Sequence, residues 1–300
     1  MLKYLGIGFV MGAADIVPGV SGGTMAFIFG IYEKLINGIK TVSGKALTLL
    51  AKGKLIEALE VIPFHFLVPL ALGIGAAVIS LSSLLTYMLE TYPELIWSFF
   101  FGLVVASIMI VSKRIKTWKF IEVVSAIAAA VAAFMIVGAV PTETAATPIA
   151  FLASGAVAIC AMILPGVSGS FLLIILGKYE QILQAVHDKD IVTLGIFMVG
   201  AVIGLALFSR VLSWLFKHHE SVIIAVLTGF MLGSLRKIWP WKETVKTIVD
   251  SHGEIVPVVQ RNVMPAGFNQ EFMIAVGLFV LAFVIVTMIE KTSNRKPETL

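Results

Sequence analysis

Cysteine is nearly missing from this 300-residue chain. Cys160 stands alone in an apolar stretch, so no intramolecular disulfide can form and no zinc or iron–sulfur spacing exists. Charge is scarce as well: Asp, Glu, Lys and Arg make up 13% of the residues against 59% hydrophobic ones, and the mean hydropathy is +1.01. So few charges cannot coat a large soluble domain, which implies an integral membrane protein built as one polytopic bundle. The balance of 22 Lys and Arg against 18 Asp and Glu is too even for a nucleic-acid partner and is better used in membrane orientation. His218 and His219 complete no metal constellation, and nothing in the composition demands a cofactor.

What the chain has in abundance is long apolar runs. Residues 66–89, 94–112, 120–140, 194–216, 221–238 and 271–290 are each long enough to span hydrocarbon. Two further regions, 4–39 and 149–187, are broken in the middle by Pro and Gly and turn polar soon afterwards. After the first break only about eight or nine apolar residues precede Tyr32-Glu33-Lys34, a rise of roughly 13 Å, or half a bilayer. Such a half-span must turn back, so both regions read as re-entrant hairpins. Lys3, an apolar run and Gly12-Ala13-Ala14 also imitate a signal peptide.

An internal duplication favours the hairpin. "IVPGVSGGTMAFIFGIYEKL" at 16–35 recurs as "ILPGVSGSFLLIILGKYEQI" at 163–182, pairing Pro18 with Pro165, Ser21 with Ser168, Gly30 with Gly177 and Glu33 with Glu180 at a constant offset of 147. Farther along, Gly73 pairs with Gly200 and Gly102 with Gly229 at an offset of 127. The chain is therefore two related halves, 1–147 and 148–300, together forming one membrane domain. Each half holds one hairpin and three spans; three is odd, so the second copy enters the membrane from the opposite face. The expected fold is all-α, with two inverted-topology repeats. A cytoplasmic placement of both termini, of the 40–65 connection and of the turns at Lys113 and Lys217 gathers most Lys and Arg inside. Of the basic residues left outside, most belong to or flank the long 239–270 connection, whereas the short outer turns around Glu90 and Glu143 carry none.

The broken segments are where chemistry is expected. Pro18, Gly19, Pro165 and Gly166 cannot continue a helix, so amides at the start of each following half-helix lack intrahelical acceptors. At membrane depth such backbone is tolerated only where it is buried in protein or lines a polar cavity, and serine hydroxyls beside bare amides suit an anion. The candidate phosphate ligands are Ser21, Gly22, Gly23, Thr24, Ser168, Gly169 and Ser170. A single PGxSG in a membrane helix is more often a kink or packing notch than a binding loop; its recurrence in both halves favours a site. Arg210 interrupts an apolar span and either faces the site or snorkels to the interface. Asp15 either caps the hairpin tip or titrates beside the substrate, and Glu33 and Glu180 are interfacial or gating residues. Arg236 and Lys237 could attract an anionic head group at the outer surface.

The GAADIVPGVSGGT element, the second PGVSGS copy and the length resemble the bacterial polyprenyl-phosphate transporter family, over essentially the whole chain. The resemblance implies a translocase of the bacterial cell membrane that returns undecaprenyl phosphate from the outer to the inner leaflet, so that the lipid carrier of envelope glycopolymers is reused. It implies no cofactor and no enzymatic activity. Its partners would be that lipid and the surrounding membrane lipids, with a homo-oligomer left open. Two rivals stay in view: a phosphatase acting on undecaprenyl diphosphate, which also uses inverted hairpins and a PG-x-S motif, and a small-anion carrier. The halves differ at Asp15, matched by Met162, and at Thr24, matched by Phe171, so the two loops are not equivalent.

Overall fold

The computed structural model describes residues 1–17, 20–139, 144–249, 255–265 and 267–293. Pro18, Gly19 and Glu143 lie outside the described residues.

In chain order, α1 (Leu2–Ile16) and the short α2 (Gly22–Ile28) flank the first break. α3 (Tyr32–Thr41), a π turn (Val42–Ala46), α4 (Leu47–Ala51) and α5 (Leu55–Val61) lead to α6 (Phe64–Thr91), α7 (Pro93–Ser112) and α8 (Phe120–Val137). The second break lies between α9 (Pro148–Ile163) and α10 (Gly169–Ile175); α11 (Tyr179–His187) follows, then α12 (Ile191–Ile238), the strands β1 (Lys242–Val249) and β2 (Ile255–Asn262), and α13 (Gln270–Ser293). Among the described residues, five helices are long and apolar enough to cross a membrane: α6, α7, α8, α12 and α13. This is an all-α membrane protein apart from one small β-hairpin.

Two expected spans, 194–216 and 221–238, form the two arms of α12, which meet at a kink. Its 48 residues would run roughly 72 Å as one rod, more than twice the ~30 Å hydrocarbon core. His219 divides it, with non-helical angles of φ −140° and ψ 46°. Within the long 239–270 connection, residues Lys242–Val249 and Ile255–Asn262 form strands. β1 and β2 pair antiparallel, Lys242 opposite Asn262 and Glu243 opposite Arg261, with irregularities on either side of Lys246.

Close helix crossings follow from glycine, since lipid-solvated helices gain little from burying apolar surface and must gain from tight packing. On α1 and α6, Gly8 lies on the Leu70 carbonyl and Gly73 on that of Leu5. The equivalent residues repeat this crossing between α9 and α12, Gly155 on the Phe197 carbonyl and Gly200 on that of Leu152. The second recurrent crossing exchanges partners between halves. Gly102 of α7 lies against Phe279 of α13, while its equivalent Gly229 of α12 lies against Ala126 of α8. Each half's third long helix therefore packs on the middle helix of the other half.

Candidate functional site

The first break begins where α1 gives way to extended backbone at Val17 (φ −87°, ψ 120°) and ends at Ser21, the N-cap of α2. Ser21 Oγ accepts from the Gly23 amide at 3.1 Å, the usual work of a helix-capping serine. The same hydroxyl donates to the Met162 carbonyl at 3.2 Å, across to the other half of the chain. The Gly22 amide donates to Asp15 Oδ1 at 2.6 Å. A Cβ on Gly22 would stand 2.5 Å from Asp15 Oδ2, so glycine is what admits the carboxylate. The Thr24 amide donates to the Ser21 carbonyl, while the Thr24 hydroxyl is buried without a partner. With Ser21 only 2% exposed and Thr24 0%, this loop is closed around its own carboxylate.

The second break differs at one decisive position. Met162 stands where the first half has Asp15, and among the described residues no carboxylate reaches the Gly169 amide. Among the described residues no acceptor bonds to the amides of Gly169 or Ser170. Ser168 Oγ lies 2.9 Å from Ser170 Oγ and only 3.5 Å from the Phe171 amide, a weak cap. Gly166 takes φ +83°, a left-handed conformation that L side chains rarely adopt, with Met231 and Ser234 of α12 pressed against it. Ser168 and Gly166 line a small cleft whose other walls include Val137, Phe171 and Lys237.

The two breaks touch. Besides the Ser21 bond to Met162, Tyr32 Oη donates to the Ile163 carbonyl at 3.1 Å, and a Cβ on Gly23 would stand 2.5 Å from the same oxygen. The half-helices also end alike: Gly30 and Gly177 adopt φ +69° and +62°, and the following amides, Ile31 and Lys178, reach back to the carbonyls of Ala26 and Leu173. A cation attends each end. Arg114 donates to the Phe27 carbonyl at 3.0 Å, and the buried Lys178 donates to the carbonyls of Ala145 at 2.7 Å and Thr144 at 3.1 Å. Because Thr144 and Ala145 precede α9, the chain enters and leaves that segment at neighbouring points. Lys34 does the same in the first half by donating to Tyr4 Oη at 2.7 Å.

A family profile described as undecaprenyl phosphate translocase-like matches residues 11–256, both breaks included. The chain belongs to that family. Over 294 residues it is 42% identical to a curated polyprenyl-phosphate transporter of Vibrio cholerae, with 96% of each chain covered. Over 259 residues it is 29% identical to a polyprenyl-phosphate transporter of Staphylococcus aureus, with 79% of this chain and 87% of the relative covered. No solved structure matches it.

Within this translocase-like chain the remaining candidates are dispersed. Arg210 donates to the Ser43 carbonyl at 3.2 Å on the π turn. Glu33 is exposed and shares its surroundings with Arg114 and Glu220; Glu180 is exposed on the first turn of α11. Pro165 is buried. Three participants were not singled out from the sequence: Tyr32 as a bridge between the breaks, Arg114 as a partner of the α2 carbonyl end, and Lys178 as the tie between the end of α10 and the residues before α9. A tyrosine two residues past a C-terminal glycine is a readable signal; which distant carbonyls a cation reaches is not.

Proposed function

We propose that this protein moves polyprenyl phosphate, undecaprenyl phosphate among its substrates, across the bacterial cell membrane by holding the phosphate at the paired breaks while the prenyl tail stays in lipid. The observation that carries this reading is the contact between the duplicated loops, Ser21 Oγ on the Met162 carbonyl and Tyr32 Oη on that of Ile163. The family and the names of the two relatives support the substrate class.

The segments 4–39 and 149–187 act as re-entrant hairpins of two inverted repeats, with both termini cytoplasmic. The recurrent glycine crossings and the neighbouring entry and exit points support that topology. A phosphomonoester carries about −1.5 to −2 at neutral pH, and even one charge at the membrane centre costs at least about 2.5 to 3.5 kcal/mol, so unaided exchange between leaflets is slow. Amides of Gly169 and Ser170 and hydroxyls of Ser168 and Ser170 would replace lost hydration at the open loop. At the closed loop, Asp15 already occupies the Gly22 amide. Protonation of Asp15 would loosen that bond, freeing Ser21, Gly22, Gly23 and Thr24 for the phosphate. Return from the outer to the inner leaflet would then be coupled to proton entry, recycling the carrier of envelope glycopolymers.

The test is reconstitution into liposomes with a labelled polyprenyl phosphate, following its change of leaflet with and without an imposed pH gradient. Movement of the label that needs the protein and is lost in Ser21→Ala/Ser168→Ala is the expected result. Equal rates in protein-free liposomes would overturn it. Release of inorganic phosphate from a polyprenyl diphosphate by the purified protein would favour a hydrolase instead.

A further inference from the structure

Lys242, at the first position of β1, carries its ammonium 3.7 Å above the Trp97 ring of α7. Its Nζ is buried and has no hydrogen-bond partner. A buried ammonium without acceptors is costly, and the ring face offsets only part of that cost. The neighbouring charge makes matters worse, because it is another lysine. Lys237, five residues earlier at the end of α12, is close enough to disfavour the charge on Lys242. Lys237 Nζ sits 4.5 Å from the Phe171 ring and lines the cleft that also holds Ser168 and Gly166.

The carboxylate and cation nearest in sequence are otherwise engaged. Glu243 pairs with Arg261 at 3.2 Å across the β-hairpin, and Arg236 donates to the Phe134 carbonyl at 3.2 Å while stacking on that ring. Lys237 thus lines the cleft beside the second break, and Lys242 is near enough to feel its charge; each ammonium lies over an aromatic ring, and among the described residues neither makes an ion pair. Structural lysine pairs are normally neutralised; a like-charged pair left partly desolvated is the kind of strain that functional sites retain.

We infer that Lys237 and Lys242 form a two-ammonium receptor for a phosphomonoester dianion, the head group of the lipid cargo, at the entrance to the cleft beside Ser168. Lys237 meets the phosphate at the cleft wall, and Lys242 leaves the Trp97 face to take a second phosphate oxygen. Two point charges match the dianion, whereas one cation would leave it half compensated. The inference rests on the transport reading given above and adds to it a capture site outside the repeated loops.

The test uses the full chain in lipid nanodiscs with two probes, a short-chain polyprenyl phosphate and inorganic phosphate. Lys237→Gln and Lys242→Gln should each weaken binding of the lipid about tenfold, and the double variant more. Inorganic phosphate should compete weakly with the lipid in the native protein and lose that competition in the double variant. Lys242→Met separates this role from a structural one: if the ammonium is strained for binding, its removal leaves the midpoint of thermal unfolding unchanged or raised. Lipid binding by the double variant within twofold of native would overturn the inference, as would a lowered midpoint in Lys242→Met with binding intact. Equal affinity for the two probes would overturn the assignment to a lipid head group. Should the native protein bind the lipid through both lysines yet fail to move it between leaflets, the transport reading fails while the receptor stands; should it bind neither probe, the receptor fails.

Discussion

At the scale of single residues, the two breaks use the same motif for different ends. Asp15 places its carboxylate on the Gly22 amide, whereas with Met162 in its place the Gly169 amide has no acceptor among the described residues. Asp15→Asn keeps the shape but weakens a charge-assisted hydrogen bond, so a loss of about 1 kcal/mol of stability is expected, together with a flattened pH profile of transport. Thermal unfolding and liposome assays across pH check the two parts, and an unchanged profile would remove Asp15 from coupling. Ser21→Ala deletes one hydroxyl that serves both Gly23 and Met162, so it should cost about 1 to 3 kcal/mol, more than Ser168→Ala at the looser second cap. Comparing the two midpoints in one detergent decides this.

Lys242 adds a pH dependence of its own. Burial, and then the charge of Lys237, push its pKa down to about 7. From about 7 up to the ordinary lysine value the unfolded chain holds a proton that the folded chain lacks, so stability contributed by this group rises with pH through that window. Below about 7 its penalty is complete and constant. Thermal midpoints measured between pH 7 and pH 10 should climb less in Lys242→Met than in the native protein.

At the scale of elements, hydropathy made most of the bundle legible. The long apolar runs became α6, α7, α8, α12 and α13 because a run of about 20 apolar residues has no other stable form in lipid. The join at His219 was legible as well: the polar run Lys217-His218-His219-Glu220 separates two apolar stretches, and His219 leaves helical angles there. The β-hairpin was not, since the polar segment around Lys242 and Arg261 reads as charge rather than as alternation. The loops were legible as sites because proline and glycine announce themselves. Which loop would be closed was not, because that depends on a carboxylate folding back seven residues. Glycine crossings also make a prediction here. Gly8→Val and Gly155→Val each force a branched side chain into a carbonyl of the facing helix, so each should lower stability by at least about 1 to 3 kcal/mol, while Gly6→Val, with open space around it, should be tolerated. Yield and thermal midpoints of the three variants provide the comparison.

At the scale of the whole molecule, the proposed inverted topology has an accessible test. Single cysteines introduced into a Cys160→Ser background at His219 and Lys116 should react with an impermeant thiol reagent only after the inner face is opened, and one at Arg261 should react in intact cells. Labelling of all three from one side would remove the inverted arrangement. A different consequence follows from the exchange of helices, in which α13 closes on Gly102 of α7 and α8 on Gly229 of α12. During synthesis, the middle helix of the first half leaves the ribosome with its partner still untranslated, and it must wait in the bilayer for nearly the entire remaining chain. Neither half can be finished early and set aside. A nascent chain halted before residue 270 would therefore be a substrate for membrane quality control rather than a working half.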